Sequence, residues 1–124
     1  MDFSDLTVSE IIVNSAGNDC LDVSGGKYIV HNFLATDCGD KGLSVGEKSV
    51  FESSKLTITD SILGISSKDS SVTKIGSARI LKTPNCFESK RKKQEFGGAY
   101  IQFDSLDCAG LIETDSNSIA KVLQ

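Results

Sequence analysis

Polar residues recur through this chain at a nearly constant interval, and the interval determines what chemistry they can share. Asp22, Ser44, Ser66 and Glu88 stand 22 residues apart. Beside them run Ser24, Gly46, Lys68 and Lys90, and then Gly25, Glu47, Asp69 and Arg91. If one interval is one turn of a stacked chain, neighbours in a column lie about one strand spacing apart, ~5 Å. Asp22, Glu47, Lys68, Asp69, Glu88, Lys90 and Arg91 then share one flat, mixed-charge face. Carboxylates in that arrangement suit proton transfer or a calcium ion, and a Lys or Arg among them suits a base or a stabiliser of developing charge. The same columns also suit solubility alone, with Glu47 beside Lys68, and Asp69 beside Lys90 or Arg91, as cross-strand ion pairs.

Other local features are weaker pointers. The run Lys90-Arg91-Lys92-Lys93 suits an acidic glycan or a phosphate, and otherwise reads as a solvated loop. The stretch from Asp37 to Gly42 is an enlarged turn whose two carboxylates and Lys41 suit calcium or a sugar, and otherwise reads as turn chemistry, since Gly and Asp tolerate unusual backbone angles. His31 lies in an alternating stretch with no serine or cysteine motif near it, so it reads as a surface or turn residue. The cysteines Cys20, Cys38, Cys86 and Cys108 contain no CxxC pair, and there is one histidine, which argues against structural zinc. Without a leader sequence the expectation is reduced thiols. Cys86–Cys108, 22 residues apart, is the one disulfide that the register suggests.

The elements that must carry these residues follow from the apolar pattern. Leu21, Leu43, Ile65 and Phe87 repeat every 22 residues, with Leu111 next. Ile11, Phe33, Leu56, Ala78 and Ile101 form a second column, and Val13, Ala35, Ile58, Ile80 and Phe103 a third. Leu6, Tyr28, Val50 and Val72 form a fourth. Within each period apolar and polar residues alternate, as in Leu56-Thr57-Ile58 and Ile101-Gln102-Phe103, which marks short strands with one buried face. No hairpin turn signal recurs, so a meander is disfavoured. Three short strands per period with matching inward columns describe an all-β fold, a short right-handed parallel β-helix of about five coils. An ordinary β-sandwich is the runner-up. One domain spans 1–124, with 117–124 as a cap in which Ile119, Val122 and Leu123 cover the last coil.

Composition bounds the function. A net charge of −4 argues against nucleic acid as a partner, and no apolar run reaches membrane-spanning length. The start Met1-Asp2-Phe3-Ser4-Asp5 has no signal-peptide character, so a cytoplasmic location is expected if Met1 is the native start. A poorly capped first coil suggests a homodimer through that end.

The segments Gly17–Gly26, Gly39–Ser49, Gly64–Ser71 and Lys90–Ala99 resemble successive coils of bacterial right-handed parallel β-helix repeat proteins of the pectate-lyase-like superfamily. The resemblance covers nearly the whole chain and matches the C-terminal coils of longer members. It implies the fold. It does not carry over a pectate-lyase set of calcium-binding aspartates with a catalytic arginine, because no such set is found here. The expected function is therefore a non-catalytic binding or scaffold module for surface or acidic polysaccharide, with no cofactor beyond calcium. The alternative is a polysaccharide-modifying lyase, hydrolase or epimerase.

Overall fold

A computed structural model describes residues 2–123. The elements are β1 (Asp2–Ala16), β2 (Leu21–Cys38), β3 (Lys41–Val45), β4 (Ser49–Thr59), β5 (Leu63–Lys68), β6 (Val72–Leu81), β7 (Asn85–Lys90), β8 (Tyr100–Asp107), β9 (Leu111–Thr114) and β10 (Ile119–Val122). Every strand pairing among them is parallel. The long strands β1, β2, β4, β6 and β8, with β10, stack into one sheet; the start of β2 with β3, β5, β7 and β9 stacks into a second. The result is a parallel β-helix of about five turns. Each expected trio of short strands is present as pairing segments, two of which are fused into one long strand bent near Ser53 and Ser54.

The inward ladders build the core because stacked apolar side chains leave water together. Leu21, Leu43, Ile65 and Phe87 stack in register, as do Ile11, Phe33, Leu56 and Ala78, and Val13, Ala35, Ile58 and Ile80. Phe87 and Phe103 meet across the interior with ring centroids 5.1 Å apart.

Three details of the register differ from the sequence expectation. Tyr28 stacks on Phe51, not Val50, because the turn before β4 holds one extra residue. That ladder continues through Thr73 to Ile101. Ile101 and Phe103 thus leave the second and third columns, where Leu106 is the partner of Ala78, and Phe103 stacks on Ile75. The cause is a six-residue enlargement between β7 and β8: Val50 pairs with Val72, but Val72 pairs with Tyr100. Alternation resumes in phase after the enlargement, which hides it from a periodicity search. A bulge near Asn85 likewise brings Ile112 over Phe87 where Leu111 was expected.

The corners follow a rule of their own. Ser15, Asp37, Asp60 and Lys82 occupy one corner of successive coils, all with φ between 51 and 64°. This left-handed region costs a residue with a Cβ about 1 kcal/mol or more, least for short polar side chains that bond locally. Gly25, Lys48 and Ser70 repeat the conformation at a second corner, with Gly26 next to it also at positive φ. At Gly26 even a methyl group would lie 1.9 Å from the carbonyl oxygen of Ser4.

The cysteines correct the expectation of reduced thiols. Cys86 is bonded to Cys108, the pair expected from their 22-residue interval, although the strand register sets Leu111 and Ile112 over the neighbours of Cys86; Cys20 is bonded to Cys38. Cys20 finds its partner at the far end of β2 after one circuit of the chain, with Cα atoms 5.4 Å apart. Column spacing compares only neighbouring coils and misses such a pair. At the C-terminal side β10 adds a parallel strand to β8, and Ile119, Val122 and Leu123 lie exposed there.

Candidate functional site

The site is built on the outer face of the second sheet. Asp22, Ser44, Ser66 and Glu88 pair across β2, β3, β5 and β7, and Lys68 pairs with Lys90. Ser44 and Ser66 are buried although they point away from the core ladders, because the longer side chains of their neighbours lie over them. Ser66 Oγ donates to Glu88 Oε2 at 2.6 Å, and Lys90 Nζ reaches Glu88 Oε1 at 3.1 Å. Lys68 Nζ donates to Ser44 Oγ at 3.2 Å. Lys41, which spacing did not single out, binds Asp40 at 3.0 Å and Asp19 at 3.8 Å.

Lys68 and Lys41 are tuned in opposite directions. Burial lowers the pKa of Lys68, and the nearby charges of Lys41 and Lys92 lower it further against the pull of Asp22 and Glu88. Burial acts on Lys41 in the same sense. There the hydrogen bond to Asp40 and the charges of Asp19 and Asp40 outweigh it, and the pKa rises.

Asp69 departs most from the sequence expectation. It is 1% exposed, and its Oδ1 accepts the backbone N–H groups of Lys92 at 2.6 Å and Lys93 at 2.8 Å. The expected pairing of Asp69 with Lys90 or Arg91 is replaced by this cap on the basic run. Glu47, expected beside Lys68, instead forms its ion pair with Lys93. Arg91 is exposed on the loop, and its backbone N–H bonds Asp115 Oδ2 at 2.8 Å. Ser70 Oγ accepts the N–H of Gly97 at 2.7 Å, and Lys48 Nζ lies 5.7 Å from the ring centre of Phe96. The enlarged loop is thus tied down along its length.

Of the seven residues expected on one face, the structure gathers Asp22, Lys68, Glu88 and Lys90 there. It puts Arg91 on the adjoining loop, and Glu47 and Asp69 at the loop's root. Sequence reasoning missed Ser44 and Ser66 as partners in hydrogen bonds, and Asp115 as a loop anchor; it noted Lys41 beside Asp40 in the turn but not its reach to Asp19. The serine column was visible in the spacing; the reach of Asp115 was not, because it depends on the enlarged loop folding back.

A second concavity of about 560 Å³ follows the bend of the long strands, between Glu52, Lys74, Gln102, Asp104 and His31. Its charges are of both signs, and His31 is exposed at its side. Among the described residues no group of three or more His, Cys, Asp and Glu side chains is gathered as a metal site would require.

Comparison with known proteins yields no matching family model, no similar curated protein and no similar solved structure. The parallel β-solenoid stands on the geometry of this chain alone.

Proposed function

We propose that the protein is a non-catalytic binding module for acidic polysaccharide, held along the strip formed by Lys68, Lys90, Arg91 and Lys92. The observation that carries this reading is the capping of Lys92 and Lys93 by buried Asp69. A basic run in a loose loop loses conformational entropy on binding; one already fixed loses less. Lys68, Arg91 and Lys92 form no ion pair among the described residues, so their charges are available to a ligand's carboxylates. On a chain of net charge −4 this strip is a local exception. Successive coils repeat at ~4.8 Å, which lets a linear polymer meet equivalent positions in turn. The pectate-lyase-like affinity of the sequence segments points to the same ligand class. Both disulfides favour an oxidising compartment as the working environment, in place of the cytoplasm.

The test is binding to a polyuronate and to a neutral glucan across a salt series, with and without calcium. Affinity for the polyuronate that falls with salt, and falls further in Lys90→Ala/Arg91→Ala/Lys92→Ala, is the expected result. Equal affinity for both polymers, or none for either, overturns the reading. The lowered pKa of Lys68 favours one second reading, a uronate-modifying enzyme with Lys68 as base. Shortened or unsaturated products from the bound polymer would establish it.

A further inference from the structure

Two strands of the last coil, β9 and β10, are the outermost of the stack. Among the described residues no strand lies over them, so one edge of each keeps its N–H and C=O groups free to pair. Their inward residues continue the core ladders: Ile112 stands on Phe87, Thr114 on Ser89, and Ala120 and Val122 on Ile101 and Phe103. With those ladders uncovered, Ile112 is 57% and Val122 42% exposed. Leu111 and Leu123 are exposed as well, and Ile62, Leu111 and Ile112 line a concavity of about 400 Å³ beside β9. Leu123 continues the line of β10, its N–H bonding the carbonyl of Phe103 at 2.9 Å.

The two free strands are complementary to each other. Set antiparallel, β9 of one molecule and β10 of another match Leu111 with Leu123, Ile112 with Val122, Glu113 with Lys121 and Thr114 with Ala120. Each inward residue then faces an inward residue, and the single charge of each strand meets its opposite. A shift of one residue would turn the inward side chains outward, and a shift of two would set Glu113 against Ile119 or Leu123. Among the described residues neither Glu113 nor Lys121 has an ion pair within its own chain. At the other end of the stack β1 carries Asp5 and Glu10 and no Lys or Arg, so two first coils would meet acid against acid.

We propose that two copies of this chain join end to end through their last coils, β9 of each pairing antiparallel with β10 of the other. The contact is isologous: one two-fold axis across the solenoid generates both strand pairs, and assembly stops at the dimer. The free edges gain backbone hydrogen bonds, and the exposed ends of the two cores leave water together. The inference goes beyond the polysaccharide reading and does not depend on it.

The experiment is sedimentation equilibrium of the whole protein over a concentration series, on wild type, Glu113→Lys, Lys121→Glu and an equal mixture of the two variants. Both positions are exposed, and circular dichroism checks that the variants fold. Wild type should dimerise. Each variant alone should dimerise at least about tenfold more weakly, because both strand pairs of the symmetric contact become like-charged. The mixture should regain the wild-type affinity, since in the mixed dimer each lysine meets a glutamate at both places. If a reversal perturbs the fold, Glu113→Gln and Lys121→Met probe the same pair without a new charge and should each weaken the dimer. A monomer at every concentration overturns the proposal. So does a dimer indifferent to these substitutions, as one formed through the first coil would be, and so does a mixture that associates no more tightly than its components.

Discussion

Asp69 and Lys92 meet through the backbone, not through their charges: the carboxylate of one accepts the N–H of the other at 2.6 Å, below the surface of the loop. The ammonium of Lys92 is left to the solvent side. A charge–charge contact at this point would have consumed the cation that the loop presents.

Asp69→Ala removes an acceptor shared by two N–H groups in a buried setting. The expected loss is about 2–3 kcal/mol in urea unfolding, with polyuronate affinity reduced as the loop loosens. Asp69→Asn keeps an oxygen acceptor and should recover part of both. Equal affinity in wild type and Asp69→Ala would separate the loop's order from its binding.

Lys68 sets a pH dependence whose sign is fixed. Its folded pKa lies below 10.5, so the charged form is disfavoured by folding. Between the lowered value and 10.5 the unfolded chain binds more protons, and stability rises with pH across that window. Lys41 acts in reverse: its raised pKa gives stability below 10.5 that is lost as pH rises through the folded value. Lys68→Met should therefore unfold at higher urea than wild type at pH 7 and lose the alkaline gain. Lys41→Met should unfold at lower urea at pH 7. Denaturation series at several pH values check both.

Each disulfide closes one circuit of the solenoid, its partners 18 and 22 residues apart in sequence. Replacing either pair with serine should cost about 3 kcal/mol by loop closure. The bonds join different coils, so the two losses should nearly add. Thermal melts with and without reductant, beside thiol counting under denaturing conditions, measure this.

The core prediction concerns Ile65, fully buried between Leu43 and Phe87. Ile65→Asp places an unpaired charge in the ladder and should abolish folding, whereas Ile65→Val should cost about 1 kcal/mol. Gly64 beside it has no room for a side chain, since a Cβ would stand 2.4 Å from the carbonyl oxygen of Cys86. Gly64→Ala should cost about 1–3 kcal/mol. Circular dichroism melts rank the three.

The stacked architecture was legible because each ladder repeats one residue class at one interval: Leu21, Leu43, Ile65 and Phe87 announce their own pairing. Errors began where a turn changed length. One extra residue before β4 exchanged Val50 for Phe51, and the enlarged loop before β8 moved Ile101 and Phe103 to other columns. Alternation has a period of two, so an even insertion restores the inward phase and leaves no trace in polarity. The site was half legible. Columns placed Lys68 beside Lys90, but they could not show that Asp69 turns inward at a left-handed corner, φ 55°, to meet N–H groups. Nor could spacing show Cys20 meeting Cys38, because that contact depends on how a single coil closes.

The loop between β7 and β8 enters the stack by one corner and leaves it by the next, and the strands before and after it keep parallel partners. Its length is therefore a free variable of the architecture. A segment of different length or charge could be grafted between Lys90 and Tyr100 while every ladder stayed as it is, provided Asp69 still found two N–H groups to hold. The scaffold and this loop are in this sense separable parts, and the loop can be exchanged at one corner without the remaining coils taking any notice.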